Sequence, residues 1–261
     1  MTDQTTLKAA PAWLAVALAL VAGAALGALG FREYAGAQAG DAGADPAFRK
    51  QVRDAILADP EIVPDAINLL QAREVEKLLA SNREAIQTPF RGAWAGAADA
   101  DVVLVEFFDF NCPYCRQGAA DVERLLAEDP KLKVVWRDFP VLGPTSDRFA
   151  MASLSAATQG RYRAFLAAAF AQGGRLTDQK LIPVVRAARL DEAQVASDLT
   201  SADFRRELDS NLALGRALGL TGTPSYIVGN EIIGGAAGYE ALKAAIAKAR
   251  RAKAAAVAAA G

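Results

Sequence analysis

The chain has 261 residues, 29 basic and 30 acidic, for a formal net charge of −1, so no basic field marks it for nucleic acid. It contains no histidine and two cysteines, which removes Ser-His-Asp and Cys-His catalysis, imidazole metal sites and any four-thiolate zinc or iron–sulfur centre within the chain. Hydrophobic residues make up 52 % but aromatic ones only 7 %, the excess being alanine.

From Ala12 to Gly30 (AWLAVALALVAGAALGALG) no charge interrupts the sequence. That length approaches the ~20 residues of a bilayer-spanning helix and exceeds the ~7–15 of a signal-peptide core. Residues 1–34 therefore read as a signal anchor, or as a signal peptide cut after Ala37 or Ala39, with a buried soluble helix as the alternative. Residues 35–46 (AGAQAGDAGADP) read as a flexible tether. The pattern then turns helical over 47–87. Phe48, Val52, Ala55 and Ile56 share one face of a first segment, closed by Asp59-Pro60. Ile62, Val63, Ile67, Leu70, Leu78 and Leu79 mark a second that runs to Ile86. A narrow apolar stripe needs a partner, either its own domain or further copies of the chain in a homodimer or homotrimer. Thr88 to Asp101 reads as a loop.

Asp101 to Asp109 (DVVLVEFFD) is a nearly continuous apolar strand of the kind buried on both faces. It runs directly into Cys112-Pro113-Tyr114-Cys115, and a helix follows with Cys115, Ala119, Val122 and Leu126 on its inward stripe. Lys131 to Phe139 (KLKVVWRDF) gives a second strand, with Trp136 read as core, and completes a right-handed crossover. Helical stretches follow at 147–171, 178–189, 191–199 and 201–218. Thr221-Gly222-Thr223-Pro224 breaks the last of them. Ser225–Val228 and Glu231–Ile233, joined by Gly229-Asn230, form a hairpin, and a helix from Tyr239 to about Val257 closes the chain. The fold class is α/β: a βαβ half, a helical insertion and a ββα half.

Two cysteines three apart at a helix start make a redox geometry. Closing so short a loop removes only about 2 kcal/mol of unfolded-state entropy, against nearly 5 for a hundred-residue loop, so a structural staple would be poorly placed. A thiol at a helix N-terminus gains a stabilised thiolate, the attacking species, with a pKa between ~3.5 and ~7.5. Cys112 takes that place, with Arg116 one turn on as a further source of positive charge. Cys115, facing inward, is suited to resolve a mixed disulfide. Glu106 lies inside an apolar run where an unpaired carboxylate is costly, and a raised pKa and proton shuttling are expected of it; a strand-end cap is its bland reading. Tyr114 belongs to the surface around the site. A non-catalytic copper- or client-binding protein is the other reading of the pair: two thiolates can hold Cu(I), although two methionines and no histidine speak against a dedicated copper protein.

The run VEFFDFNCPYC, followed by TGTPSYIVG and a final helix, resembles the DsbA-like thiol-disulfide oxidoreductases of the thioredoxin fold, over roughly 100–253. The resemblance implies a cis Pro224 opposite the CPYC motif, with Thr223 offering backbone hydrogen bonds to a substrate chain and Pro113 and Tyr114 beside it. It implies that Glu106 is the buried acid next to the resolving thiol, and that 146–220 is the family's helical insertion. No metal or cofactor is implied. The segment DPEIVPDAINLLQARE is similar to the N-terminal extension of exported, oligomeric ScsC-like members. Tyr114 replaces the histidine of DsbA itself, and Thr223 is the residue of isomerase-type members, so both point away from a very strong oxidase. The implied setting is the periplasmic side of the bacterial inner membrane. The implied partners are exported client proteins with cysteines and a membrane redox partner that reoxidises or reduces the dithiol.

Overall fold

The computed structural model describes residues 45–260, so the expected membrane or signal helix over Ala12–Gly30 and nearly all of the 35–46 tether lie outside the described residues. Among the described residues no helix is long and apolar enough to cross a membrane. The chain divides into two units at Ala66/Ile67.

In the first unit, helix α1 spans Pro46–Ala58. Asp45 caps it by accepting from the Ala47 N–H at 3.0 Å, and Pro46 takes the first helical position, where its missing N–H costs nothing. The last two residues assigned to the tether are thus the helix start. Phe48, Val52 and Ile56 recur at helical spacing and are exposed.

Helix α2 (Ile62–Ser81) crosses the division, and α3 (Arg83–Gln87) follows after Asn82. The second unit then holds β1 (Trp94–Gly96), β2 (Val102–Phe108), α4 (Pro113–Glu128) and β3 (Leu132–Asp138). Five helices come next: α5 (Pro144–Thr158), α6 (Tyr162–Ala171), α7 (Asp178–Ala187), α8 (Glu192–Asp198) and α9 (Ala202–Ala217). The chain closes with β4 (Ser225–Val228), β5 (Glu231–Gly234) and α10 (Tyr239–Ala260). The sheet order is β1-β3-β2-β4-β5. β2 and β3 are parallel, as a helical crossover requires, and the other pairs are antiparallel.

Two sequence expectations are corrected here. The 88–101 loop contains a strand, β1, which pairs with β3 through Trp94↔Val135, so the sheet begins ahead of residue 100. The single stretch 147–171 is two helices, because Gly160 takes a left-handed φ of 67° between them, a conformation glycine adopts without strain.

Alternation along the strands sends side chains to two cores. Leu104, Phe108, Val134, Trp136, Tyr226 and Val228 face one, which α4, α10, α5 and α6 cover. Val105, Phe107, Val135 and Ile227 face the other, with Leu79 of α2 and Ile86 of α3. The helical insertion is tied to the strand ends by an aromatic cluster: Phe110 lies 5.6 Å from Phe165 and 6.0 Å from Phe149 between ring centroids. Arg137, 6 % exposed, is the polar counterpart on the second face. It donates to Asn211 at 2.9 Å and Glu207 at 3.2 Å on α9, and to the carbonyls of Ala85, Ile86 and Thr88 around the end of α3.

Candidate active site

The apolar run of β2 ends at Phe108, and Asp109 turns the chain into α4. Its buried carboxylate accepts from the Asn111 N–H and the Ser146 hydroxyl with one oxygen, and from the Val141 and Leu142 N–H groups with the other. One side chain thereby fixes the turn before Cys112 and the loop that enters the helical insertion.

Cys112 is the N-cap of α4 and Pro113 its first helical residue. The Cys112 sulfur accepts from the Cys115 backbone N–H at 3.3 Å and, as a thiol, donates to the Thr223 carbonyl at 3.2 Å. The two cysteines are free, and buried to different degrees: 3 % exposed at Cys112, 0 % at Cys115. A hydrogen bond from the Cys115 side chain, helped by the Thr223 side chain and the first N–H groups of the helix, overcomes partial desolvation and brings the Cys112 pKa down to about 6. Burial, reinforced by the bond to Cys112, pushes the Cys115 thiol far up. One sulfur is prepared as a thiolate; its neighbour is kept as a thiol.

Glu106 sits on β2 in the same core, 4 % exposed. Burial lifts its pKa to about 8 against hydrogen bonds from Trp136 and Tyr226, which favour the carboxylate, and the charge of Cys112 raises it further. Its own charge in turn helps to hold the Cys115 thiol up. The Thr223–Pro224 peptide is cis, Pro224 is buried, and Tyr114, between the two cysteines, is 58 % exposed.

The structure thus brings Cys112, Cys115 and Thr223 into direct contact and places Glu106 within electrostatic reach of both sulfurs. Two expectations are corrected. Arg116 does not serve the thiolate; its guanidinium donates to the Gly174 carbonyl, binding α4 to the loop between α6 and α7. Trp136 is more than core, because its indole N–H donates to Glu106 at 3.1 Å. The inward stripe of α4 is Cys115, Gly118, Val122 and Leu125, with Ala119 and Leu126 at its margin. Among the described residues no group of three or more Cys, Asp or Glu side chains could hold a metal ion.

A prepared thiolate over a guarded thiol is what thiol–disulfide exchange requires, and on this sheet it defines a thiol-disulfide oxidoreductase of the thioredoxin class. A family model of the DSBA-like thioredoxin domain matches residues 103–247. The chain belongs to that family. A second model, of the N-terminal domain of the copper resistance protein ScsC, matches residues 47–77.

Among solved structures, a thioredoxin-like oxidoreductase from Silicibacter pomeroyi is 34 % identical, with a TM-score of 0.62 over 65 % of this chain and 98 % of that one. A linker-deletion variant of ScsC from Proteus mirabilis is 28 % identical, with a TM-score of 0.64 over 82 % of this chain and 99 % of that one. Among curated proteins, a sequence named Na(+)/H(+) antiporter NhaA 3 from Salinispora tropica is 27 % identical over 69 % of this chain. The match spans only 29 % of that protein, so the chain covers less than a third of this curated relative.

Proposed function

We propose that the chain is an exported enzyme that forms or rearranges disulfides in other exported proteins through its CPYC pair. Cys112 is the nucleophile, Cys115 the resolving thiol and Glu106 the proton carrier for Cys115. Thr223, Pro224, Pro113 and Tyr114 border the place where the client chain lies. The observation that carries this reading is the opposed preparation of the two sulfurs, one drawn down to about 6 and the other driven up.

In rearrangement, the Cys112 thiolate attacks one sulfur of a client disulfide. A bond forms between them, the client S–S bond breaks, and the second client sulfur leaves as a thiolate. Another client thiolate then displaces Cys112, with no net electron transfer. Alternatively Cys115 attacks the Cys112 sulfur while its proton passes to Glu106, and the client leaves reduced. In oxidation the steps run in reverse. A client thiolate attacks Cys112 of the enzyme disulfide, Cys115 departs and takes its proton from Glu106, and a second client thiolate expels Cys112. The membrane redox partner returns the pair to its working state. Residues 12–30 would tether or export the chain to the periplasmic side, and the exposed α1 stripe would join copies of it into a dimer or trimer. The match of 47–77 to the ScsC N-terminal domain supports that extension.

The test uses the full chain in detergent. Cys115→Ser accumulates mixed disulfides with reduced or scrambled ribonuclease, and Cys112→Ser forms none and loses turnover. Recovery of scrambled ribonuclease by the reduced enzyme identifies rearrangement. Oxidation of reduced ribonuclease alone, by the disulfide form, identifies an oxidase. Turnover by Cys112→Ser overturns the mechanism.

A further inference from the structure

Glu106 is in register with Trp136 on β3 and with Tyr226 on β4, so three polar side chains form one row across the sheet. They lie on the face that α4 covers, and none is more than 4 % exposed. The indole N–H of Trp136 donates to Glu106 Oε2 at 3.1 Å, and Tyr226, directly opposite Glu106 on the other neighbouring strand, acts through its hydroxyl to favour the same carboxylate in its charged form. Phenylalanine would fill either place in the core. What the indole N–H and the phenol O–H add is direction on the carboxylate.

A second observation comes from the helix above. Gly118 lies one turn after Cys115 on the buried stripe of α4, a regular helical position where alanine is the better helix former. A Cβ there would stand 2.6 Å from the Tyr226 hydroxyl oxygen, closer than atoms approach, yet 4.0 Å from its Cζ. The glycine makes room for one oxygen atom.

We propose that Trp136 and Tyr226 are positioning residues that hold the Glu106 carboxylate toward the thiol pair from both flanking strands, and that Gly118 lacks a side chain so that the Tyr226 hydroxyl can reach it. The proposal rests on the reading of Glu106 as proton carrier for Cys115. Both donors favour the ionised carboxylate against its burial. Removing either raises the pH at which Glu106 can accept the Cys115 proton.

The test follows the Trp136 indole N–H resonance of the reduced full chain through a pH titration. Trp136→Phe assigns that signal among the three tryptophans, and Glu106→Gln abolishes its titration. Tyr226→Phe moves the midpoint up by about one pH unit, the effect of one hydrogen bond to a charged group. Gly118→Ala moves it the same way. The Gly118→Ala/Tyr226→Phe double variant titrates with Tyr226→Phe alone, because the clash existed only with the hydroxyl. An indole signal that does not titrate, or midpoints unmoved in Tyr226→Phe and Gly118→Ala, overturns the proposal, as does a double variant that shifts by the sum. The pH profile of mixed-disulfide resolution, measured on the same variants, separates the two ideas. If the indole midpoint moves and the profile does not follow, the positioning stands and the proton-carrier reading falls.

Discussion

The Cys115 side chain does most to lower the Cys112 pKa, and that can be isolated by substitution. An ordinary thiol titrates near 8.5 and is about 3 % thiolate at pH 7, whereas one at about 6 is roughly 90 % thiolate. A hydrogen bond to a charged acceptor contributes about 1.5–3 kcal/mol, or about 1–2 pH units. Cys115→Ser keeps a donor at that position and leaves the Cys112 midpoint near 6. Cys115→Ala removes it and takes the midpoint to about 7–8. Below both midpoints each unit of upward shift costs about tenfold in thiolate, of which a Brønsted coefficient of ~0.4–0.5 returns about threefold through higher nucleophilicity. Cys115→Ala should therefore react with iodoacetamide about three- to tenfold more slowly at acid pH and faster at alkaline pH. Each variant carries one cysteine, so alkylation rate against pH reads Cys112 alone. Equal midpoints in the two variants would refute the reasoning and leave the helix N-terminus as sufficient cause.

The buried Asp138 carboxyl accepts from Ser153 at 2.7 Å and Tyr162 at 3.0 Å, and burial raises its pKa to about 7. A raised folded-state value contributes stability that is complete below the unfolded value near 3.9 and is lost as pH rises through 7. Asp138→Asn should remove up to about 4 kcal/mol of that decline, read as a flatter urea-unfolding profile between pH 4.5 and 8; an unchanged slope refutes it. Arg137→Met leaves Glu207, Asn211 and three carbonyls without their donor and should cost about 3 kcal/mol in urea unfolding, with Cys112 alkylation unchanged. If α1 joins copies of the chain, Val52→Asp should convert a sedimenting dimer or trimer to monomer without loss of ribonuclease oxidation; a wild-type monomer would dismiss the stalk.

The dithiol was legible because an apolar strand that stops at a CxxC leaves few geometries, and Glu106 because a carboxylate inside such a run needs a reason. Trp136 was not, since a tryptophan in an apolar strand reads as packing. Its partnership with Glu106 depends on strand register, which no single strand encodes. Tyr226 was hidden for the same reason from the third strand. Arg116 was misread because its spacing from Cys112 is correct for a helix turn, while the competing acceptor, the Gly174 carbonyl, lies more than fifty residues away in sequence. β1 escaped notice because a three-residue strand is shorter than any alternation can reveal, and the break at Gly160 because one glycine inside a helical pattern is ordinarily tolerated.

The outer strands of the sheet are short, three residues in β1 and four in β5, and glycines with positive φ stand at the end of the first and just beyond the second, 97° at Gly96 and 76° at Gly235. A long straight border would offer unpaired N–H and C=O groups to any extended chain that came near. Here the border runs out after one or two rungs. On the proposed function, a client chain would thus meet a single sulfur to be held by and no long border to be stitched into.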